Sequence, residues 1–276
     1  MLTHLPLEDL AIATTRICER SVVEIIAPML NSGSLGIREK GQEGRDLVSE
    51  VDLKTESFLK SHLAQLLPEA GFVAEESADG NTLTGLNCII DPIDGTTNLI
   101  HGLPPYCISV ALAHEKDVLV GVVFEITLKE CFYAWKGGGA YLNGLAIRVS
   151  NRSLFKESLL CTGFPYNQEN QLKLSAYLDL LGRFLKTTRG VRRLGAAAVD
   201  LAYVAAGRLD GFYEYDLQPW DVAAGSLLVA EAKGKVTDFN GKGDFSLGKH
   251  IAASNGHIHE RLIAELHAFK NQISPE

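Results

Sequence analysis

A short apolar run, Cys88, Ile89 and Ile90, breaks abruptly into Asp91-Pro92-Ile93-Asp94-Gly95-Thr96-Thr97-Asn98, and this stretch constrains the chain more than any other. The apolar run reads as a buried strand. Pro92 offers no N–H to a sheet, so the strand is expected to stop there and leave Asp91 and Asp94 on the tight turn that follows. Carboxylates so placed are close enough to share a metal ion. Gly95 carries no side chain, and Thr96 and Thr97 bring hydroxyls. If Thr96 opens a helix, the N–H groups of Gly95 and Thr96 face outward at its positive end, where phosphate is favoured. Oxygen ligands for hard cations beside a main-chain anion cradle suit metal-dependent phosphate cleavage. The same residues also make an ordinary capped Asp/Pro/Gly turn, and the rest of the chain decides between the two.

With 276 residues, 46% of them hydrophobic and 22% charged, the chain has material for one large domain or two intimate halves. A net charge of -8 argues against a nucleic-acid backbone as direct partner. An anionic substrate would need bound cations for local positive charge. No apolar run approaches the roughly 20 residues that cross a bilayer, so no membrane partner is expected. The opening MLTHLPLEDL lacks the basic-then-apolar pattern of a signal peptide. Five widely spaced cysteines in mostly apolar runs read as buried free thiols, and a cytoplasmic location is expected. The histidines form no HExxH-like spacing, and His257 and His259 lie too near each other to bind one ion together.

Helical spacing over residues 7–30 predicts a long amphipathic helix, ended by Asn31-Ser32-Gly33-Ser34. The glycine-rich, charged loop to Arg45 is expected to act as a lid. An extended entry at 46–49 leads into a helix to Leu67 with Leu53, Leu59, Leu63 and Leu66 on its buried face. Asp52, in its first turn, reads first as a carboxylate favoured by the helix dipole, and alternatively as a group that orients a catalytic hydroxyl. Residues 71–74 form a strand that presents Glu75-Glu76-Ser77 at its end, where α/β enzymes gather carboxylates. Strands at 108–113, 118–124 and 130–135 make an antiparallel meander, with a hairpin at Asn143-Gly144. A strand over 158–164 is expected to close the first half, with the junction of two subdomains, about 1–152 and 153–276, near 151–157.

In the second half a helix spans 168–186, and the small-residue run Gly195-Ala196-Ala197-Ala198 opens another to Ala206. A strand over 211–215 carries Glu214, and Trp220-Asp221-Val222-Ala223-Ala224-Gly225 opens a helix to Ala232. Strands at 235–239 and 251–253 and a helix over 257–269 finish a layered α/β arrangement. The run 243–250 falls one residue short of a P-loop, because His250 replaces the hydroxyl.

Glu75-Glu76-Ser77, the Asp91 to Asn98 motif, the Trp220 to Gly225 motif and Glu231-Ala232 together resemble the inositol monophosphatase family, over almost the whole chain. The resemblance implies the α-β-α-β-α sandwich shared with fructose-1,6-bisphosphatase, with mixed, largely antiparallel sheets. It implies a magnesium-dependent, lithium-sensitive phosphatase that uses two to three Mg²⁺ ions, and a homodimer. Glu75, Asp91 and the main-chain carbonyl of Ile93 resemble ligands of a first ion. Asp91, Asp94 and Asp221 resemble those of a second, and Glu75 also serves a third, looser one. Asp52 and Thr96 match the pair that activates the attacking water, with Glu75 beside them in catalysis. Gly95 and Thr96 match the phosphate-holding N–H groups. Asp94, Ala197, Glu214 and Asp221 match positions at the substrate.

Several residues depart from the family pattern. Ala74 and Lys233 stand where glycine is usual, Leu99 where Phe is usual, and Ala196 where Ser or Thr is usual. None removes a metal ligand, but Ala196 puts fine substrate preference in doubt. Arg192-Arg193 resembles the bacterial members. The expected substrate is a small phosphate monoester, with myo-inositol 1-phosphate first. The alternatives are fructose-1,6-bisphosphatase, histidinol-phosphate phosphatase or 3′(2′),5′-bisphosphate nucleotidase activity, and an added interaction role in transcription complexes.

Overall fold

In the computed structural model, which describes residues 5–33, 35–40, 46–77, 84–164, 171–243 and 249–273, two sheets alternate with three layers of helices. At the N-terminal end α1 (Leu7–Ser21), a π-helical turn (Val22–Ile26) and α2 (Ala27–Ser32) run end to end, as the periodicity predicts. Pro28, which has no N–H for a regular ladder, is the second residue after the π turn. Gly33, at φ 69°, ends the run. The antiparallel pair β1 (Arg38–Lys40) and β2 (Asp46–Val48) comes next. Residues 41–45, the centre of the expected lid, lie outside the described residues.

The helix α3 (Glu50–Leu66) buries Val51, Asp52, Thr55, Glu56, Leu59 and Leu63. Leu53, expected on that face, is 41% exposed. It lies six residues before Leu59, which at 3.6 residues per turn places it about 120° round the helix. The strands β3 (Gly71–Ala74), β4 (Leu86–Asp94), β5 (Cys107–His114), β6 (Asp117–Glu125), β7 (Glu130–Trp135), β8 (Gly139–Leu142) and β9 (Leu145–Ile147) form one sheet in that order, with α4 (Thr96–Ile100) after β4. β3 and β4 are parallel, and the remaining pairs are antiparallel.

The second sheet runs β11 (Gly190–Arg192), β10 (Leu159–Thr162), β12 (Gly211–Leu217), β14 (Lys249–Ser254), β13 (Lys235–Thr237). β10 is parallel to both its neighbours. The strand expected to close the first half therefore belongs to the second sheet, because its parallel partners lie later in the chain. The helices α1 and α3 cover the outer face of the seven-stranded sheet. α6 (Ala197–Ala205) and α7 (Pro219–Glu231) fill the space between the sheets. α5 (Gln171–Thr187) and α8 (His259–Ile273) cover the outer face of the five-stranded sheet. The layers are those of an α-β-α-β-α sandwich. Both central helices are apolar nearly all round, as helices buried on two sides must be.

Pro92 does not end β4. The strand continues to Asp94, and its register with β5 slips by one residue between the Asp91–Ser109 and Asp94–Cys107 pairs. This is a β-bulge, and proline is tolerated there because the extra residue makes no ladder bond. In a regular strand, residues three apart point to opposite faces. The extra residue resets the alternation. Ile89 faces the central helices while Ile90 and Ile93 face α1 and α3, so Asp91 and Asp94 both face the central helices.

α7 ends in a Schellman motif: Lys233 donates its N–H to the Ala230 carbonyl at 3.0 Å, and Gly234 to that of Val229 at 2.8 Å. Lys233 occupies the left-handed position at φ 72°, which explains why its departure from glycine is a local misfit. A left-handed non-glycine residue costs about 1–2 kcal/mol, partly offset by the larger unfolded-state entropy of glycine. Lys233→Gly is expected to stabilise the protein by about 0.5–1 kcal/mol, read as a higher urea midpoint with unchanged slope.

Candidate active site

Asp52 is the third residue of α3, and Ser49 is its N-cap. The Ser49 N–H donates to Asp52 Oδ2 at 2.8 Å and the Ser49 hydroxyl to the same oxygen at 2.5 Å, while Ser49 Oγ accepts from the Val51 N–H at 3.1 Å. This capping box occupies one carboxylate oxygen. The other, Oδ1, lies 3.0 Å from Thr96 Oγ1, across 44 residues of sequence. Thr96 Oγ1 is also 3.0 Å from the Ile93 carbonyl, so two acceptors compete for its single proton. Helix dipole and hydroxyl orientation are thus not rival roles for Asp52. It fills both. Gly95, at φ 94°, makes the turn into α4, and a β-carbon there would press on the Pro105 carbonyl and Ala196.

Each neighbouring carboxylate is held by a main-chain donor. Asp91 Oδ1 accepts from the Ile93 N–H at 3.0 Å, within the bulge. Asp221, third residue of α7, accepts from the Gln218 N–H at 2.7 Å. Asp94 reaches across the layer to accept from the Ala198 N–H at 2.7 Å. Ala198 lies at the start of α6, whose N-cap, Ala196, has no side-chain oxygen to offer. The capping function that a Ser or Thr would supply there falls to Asp94. Ser109, on β5 opposite Asp91, donates its hydroxyl to the Trp220 carbonyl at 3.1 Å and ties α7 to the same spot.

Burial first, then the charges of Glu75, Asp94, Asp221 and Asp52, push the Asp91 carboxyl well above its ordinary range. Burial likewise pushes Asp94 and Asp221 up to about 7, against the pull of the Ala198 and Gln218 N–H groups. Burial raises Asp52 also, opposed by its bonds to Ser49 and Thr96. Among the described residues no lysine or arginine forms a salt bridge with Asp91, Asp94 or Asp221, and no three His, Cys, Asp or Glu side chains form a ready-made ion cage. The cluster is one of mutually repelling, largely buried oxygens. A divalent cation is the counter-charge that fits such a set: hard, oxygen-seeking and doubly charged.

Glu214 meets the same cluster from the second sheet. Tyr213 and Tyr215 on either side of it enter the core under α5 and α8, and strand alternation turns Glu214 the other way. Burial raises its carboxyl well above the usual range, then the charges of Asp200, Asp221 and Asp94, while Arg193 lowers it. A β-carbon on Gly163 would fall 1.9 Å from Glu214 Oε1, so the carboxyl lies on the bare glycine. Ala197, expected at the substrate, is the first residue of α6, beside the Ala198 N–H that holds Asp94.

Three residues at this site escaped the sequence reading. Gly163 gave no signal. Asp200 accepts from the Cys161 thiol at 3.1 Å and is 1% exposed; an acid inside an otherwise apolar helix was the available clue. Glu56 lies four residues after Asp52, on the same helical face. His259, by contrast, is a buried structural group between Thr237 and Ser254.

A carboxyl whose pKa is higher folded than unfolded holds its proton in the native state. It therefore adds no penalty below the ordinary 3.8, and destabilises increasingly as pH rises towards about 7. The metal-free protein is expected to lose thermal stability as pH rises through this window. Added Mg²⁺ should raise Tm more at pH 8 than at pH 5, since only deprotonated carboxylates bind it. Thermal scans with EDTA and with Mg²⁺ at both pH values measure this, and equal shifts would contradict it.

The chain matches the inositol monophosphatase family over residues 7–271. It is 40% identical over 239 residues to a Nus factor SuhB of Pseudomonas aeruginosa, covering 84% of this chain and 86% of that one. It is 37% identical over 251 residues to a fructose-1,6-bisphosphatase/inositol-1-monophosphatase of Thermotoga maritima, covering 89% and 92%. The crystal structure of the extragenic suppressor protein suhB of Bartonella henselae superposes with a TM-score of 0.84 at 36% identity, over 94% of this chain and 98% of that one. The chain belongs to the inositol monophosphatase family.

Proposed function

We propose that this protein is a Mg²⁺-dependent phosphatase of small polyol monophosphates, with myo-inositol 1-phosphate as the first substrate to test. The observation that carries the reading is the Asp52–Thr96 contact beside the buried Asp91 and Asp94 carboxylates and the half-buried Asp221. Glu75, Asp91, Asp94, Asp221 and the Ile93 carbonyl are the proposed holders of two to three ions. Bound Mg²⁺ would offset phosphate charge and acidify water.

The chain's own groups do the rest. Thr96, with its proton directed to Asp52 Oδ1, presents an oxygen lone pair to a water and aligns it towards phosphorus. The water's proton passes through the Thr96 hydroxyl to Asp52, whose burial-raised pKa makes it a competent base. As the water oxygen bonds to phosphorus the P–O bond to the polyol breaks, and the leaving oxygen takes a proton from solvent water. N–H groups of Gly95 and Thr96 are proposed to hold phosphate, and Glu214 to accept from polyol hydroxyls.

Two further readings have observations in their favour. Arg193 lies over the Phe164 ring at 5.9 Å and acts electrostatically on Glu214. A cation at that position suits a substrate with a second phosphate, as the name of the Thermotoga relative suggests. The Pseudomonas relative's name, Nus factor, favours an added role in transcription complexes. Side-by-side kcat/KM for inositol 1-phosphate, fructose 1,6-bisphosphate, histidinol phosphate and a 3′(2′),5′-bisphosphate nucleotide separates the enzymatic readings. A pull-down that survives Asp91→Asn would support the interaction role.

Phosphate release is expected with Mg²⁺ and not with EDTA, and Asp91→Asn should abolish it. Asp52→Asn should lower kcat about 10²–10⁴-fold, with little change in half-saturating Mg²⁺. An absence of metal-dependent turnover on every polyol and sugar phosphate would overturn the assignment.

A further inference from the structure

Glu56 is 5% exposed, and its carboxylate is fully engaged. Oε2 accepts from the Glu76 N–H at 2.9 Å and Oε1 from the Ser77 hydroxyl at 2.5 Å, partners 20 and 21 residues away. Lys60 donates to Ser77 Oγ at 2.7 Å and lies 3.8 Å from Glu56 Oε1. A Lys60–Glu56 pair four residues apart on a helix contributes little by itself. Burying a carboxylate is costly unless its oxygens are bonded, so the bonds to the loop after β3 are what this group is placed to make.

Those bonds bear on Glu75. The Glu75 N–H donates to the Ile90 carbonyl at 3.2 Å and extends the β3–β4 pairing by one step. The Glu76 N–H belongs to the peptide plane that leaves Glu75, and Glu56 fixes that plane. Peptide planes are rigid. Holding both planes that flank Glu75 Cα fixes the direction of its Cα–Cβ bond. The carboxylate so directed is the one whose charge bears most on Asp91, after burial itself.

We propose that Glu56 is a positioning residue for cation binding: from α3 it fixes the main chain on the far side of Glu75 and so sets where the Glu75 carboxylate meets Asp91. This rests on the phosphatase reading above. The helix α3 then serves the site twice, through Asp52 at Thr96 and through Glu56 one turn later at the Glu75 loop.

The test is Mn²⁺ binding to purified protein in the absence of substrate, followed by the electron paramagnetic resonance signal of free Mn²⁺. Removing such an outer support typically weakens metal affinity about 10–100-fold. Glu56→Ala should show that loss, together with a matching rise in half-saturating Mg²⁺ for turnover and nearly unchanged kcat at saturating metal. Glu56→Gln keeps an oxygen for the Glu76 N–H and should rescue most of the affinity. If Glu56→Ala does not fold, Glu56→Asp, which keeps the charge but falls short of the loop, should show the same direction of loss. Wild-type affinity in a folded Glu56→Ala or Glu56→Asp, with binding lost in Asp91→Asn, would overturn the proposal. A lower Tm with unchanged Mn²⁺ affinity would assign Glu56 to folding alone and overturn it too. Wild-type protein that takes up no Mn²⁺ would instead remove the phosphatase reading beneath it.

Discussion

Like charges packed inside a fold repel, and the architecture around this site is organised to hold several together despite that. Asp52, Asp91, Asp94 and Asp221 each accept a main-chain N–H at 2.7–3.0 Å. Three of those donors sit at the openings of α3, α6 and α7, whose positive ends favour negative charge. A hydrogen bond to a charged acceptor contributes about 1.5–3 kcal/mol, while desolvating a carboxylate costs several. Burial wins. Asp94 and Asp221 are accordingly pushed up to about 7, and the site is left with a deficit that a cation is suited to offset.

The bulge in β4 makes the cluster possible. In a strand without the bulge, Asp91 and Asp94, three residues apart, would point to opposite faces, one to the central helices and one to α1 and α3. With it, they share a face, and Asp94 becomes the cap of a helix in the next layer. One irregularity thus joins the seven-stranded sheet to α6 and fixes the spacing of two acids. Pro92 suits the position because the bulge asks no hydrogen bond of it.

Departures from the family pattern acquire physical meaning in this setting. Ala196 is an N-cap without a capping side chain, and Asp94 bonds the α6 N-terminus in its stead. Lys233 sits at a left-handed helix end, where glycine would carry no strain. The first bears on the site, because the Asp94 oxygen bonded to Ala198 is less available elsewhere. The second bears only on stability.

Much of this protein was legible along the chain. Helical and strand periodicity placed most of the longer elements, because apolar spacing follows directly from which face is buried, while the short strands β1 and β11 carried no such pattern. The Asp91 to Asn98 run and the Trp220-Asp221 start of α7 marked the site, since local motifs carry their own turn and cap chemistry. What the chain alone left undecided were relations between distant residues. The Asp52–Thr96 contact, across 44 positions, was implied by the family resemblance and not by spacing, and the Asp94–Ala198 bond, across 104, by neither. Glu214's seat on Gly163 and Glu56's hold on the Glu75 loop have no local signature either. Pro92 misled for a related reason: proline forbids a ladder bond, but only the neighbouring strand decides whether the chain ends there or bulges past. Periodicity is a property of one segment, whereas convergence of charge is a property of the packed layers, and only the folded chain sets it.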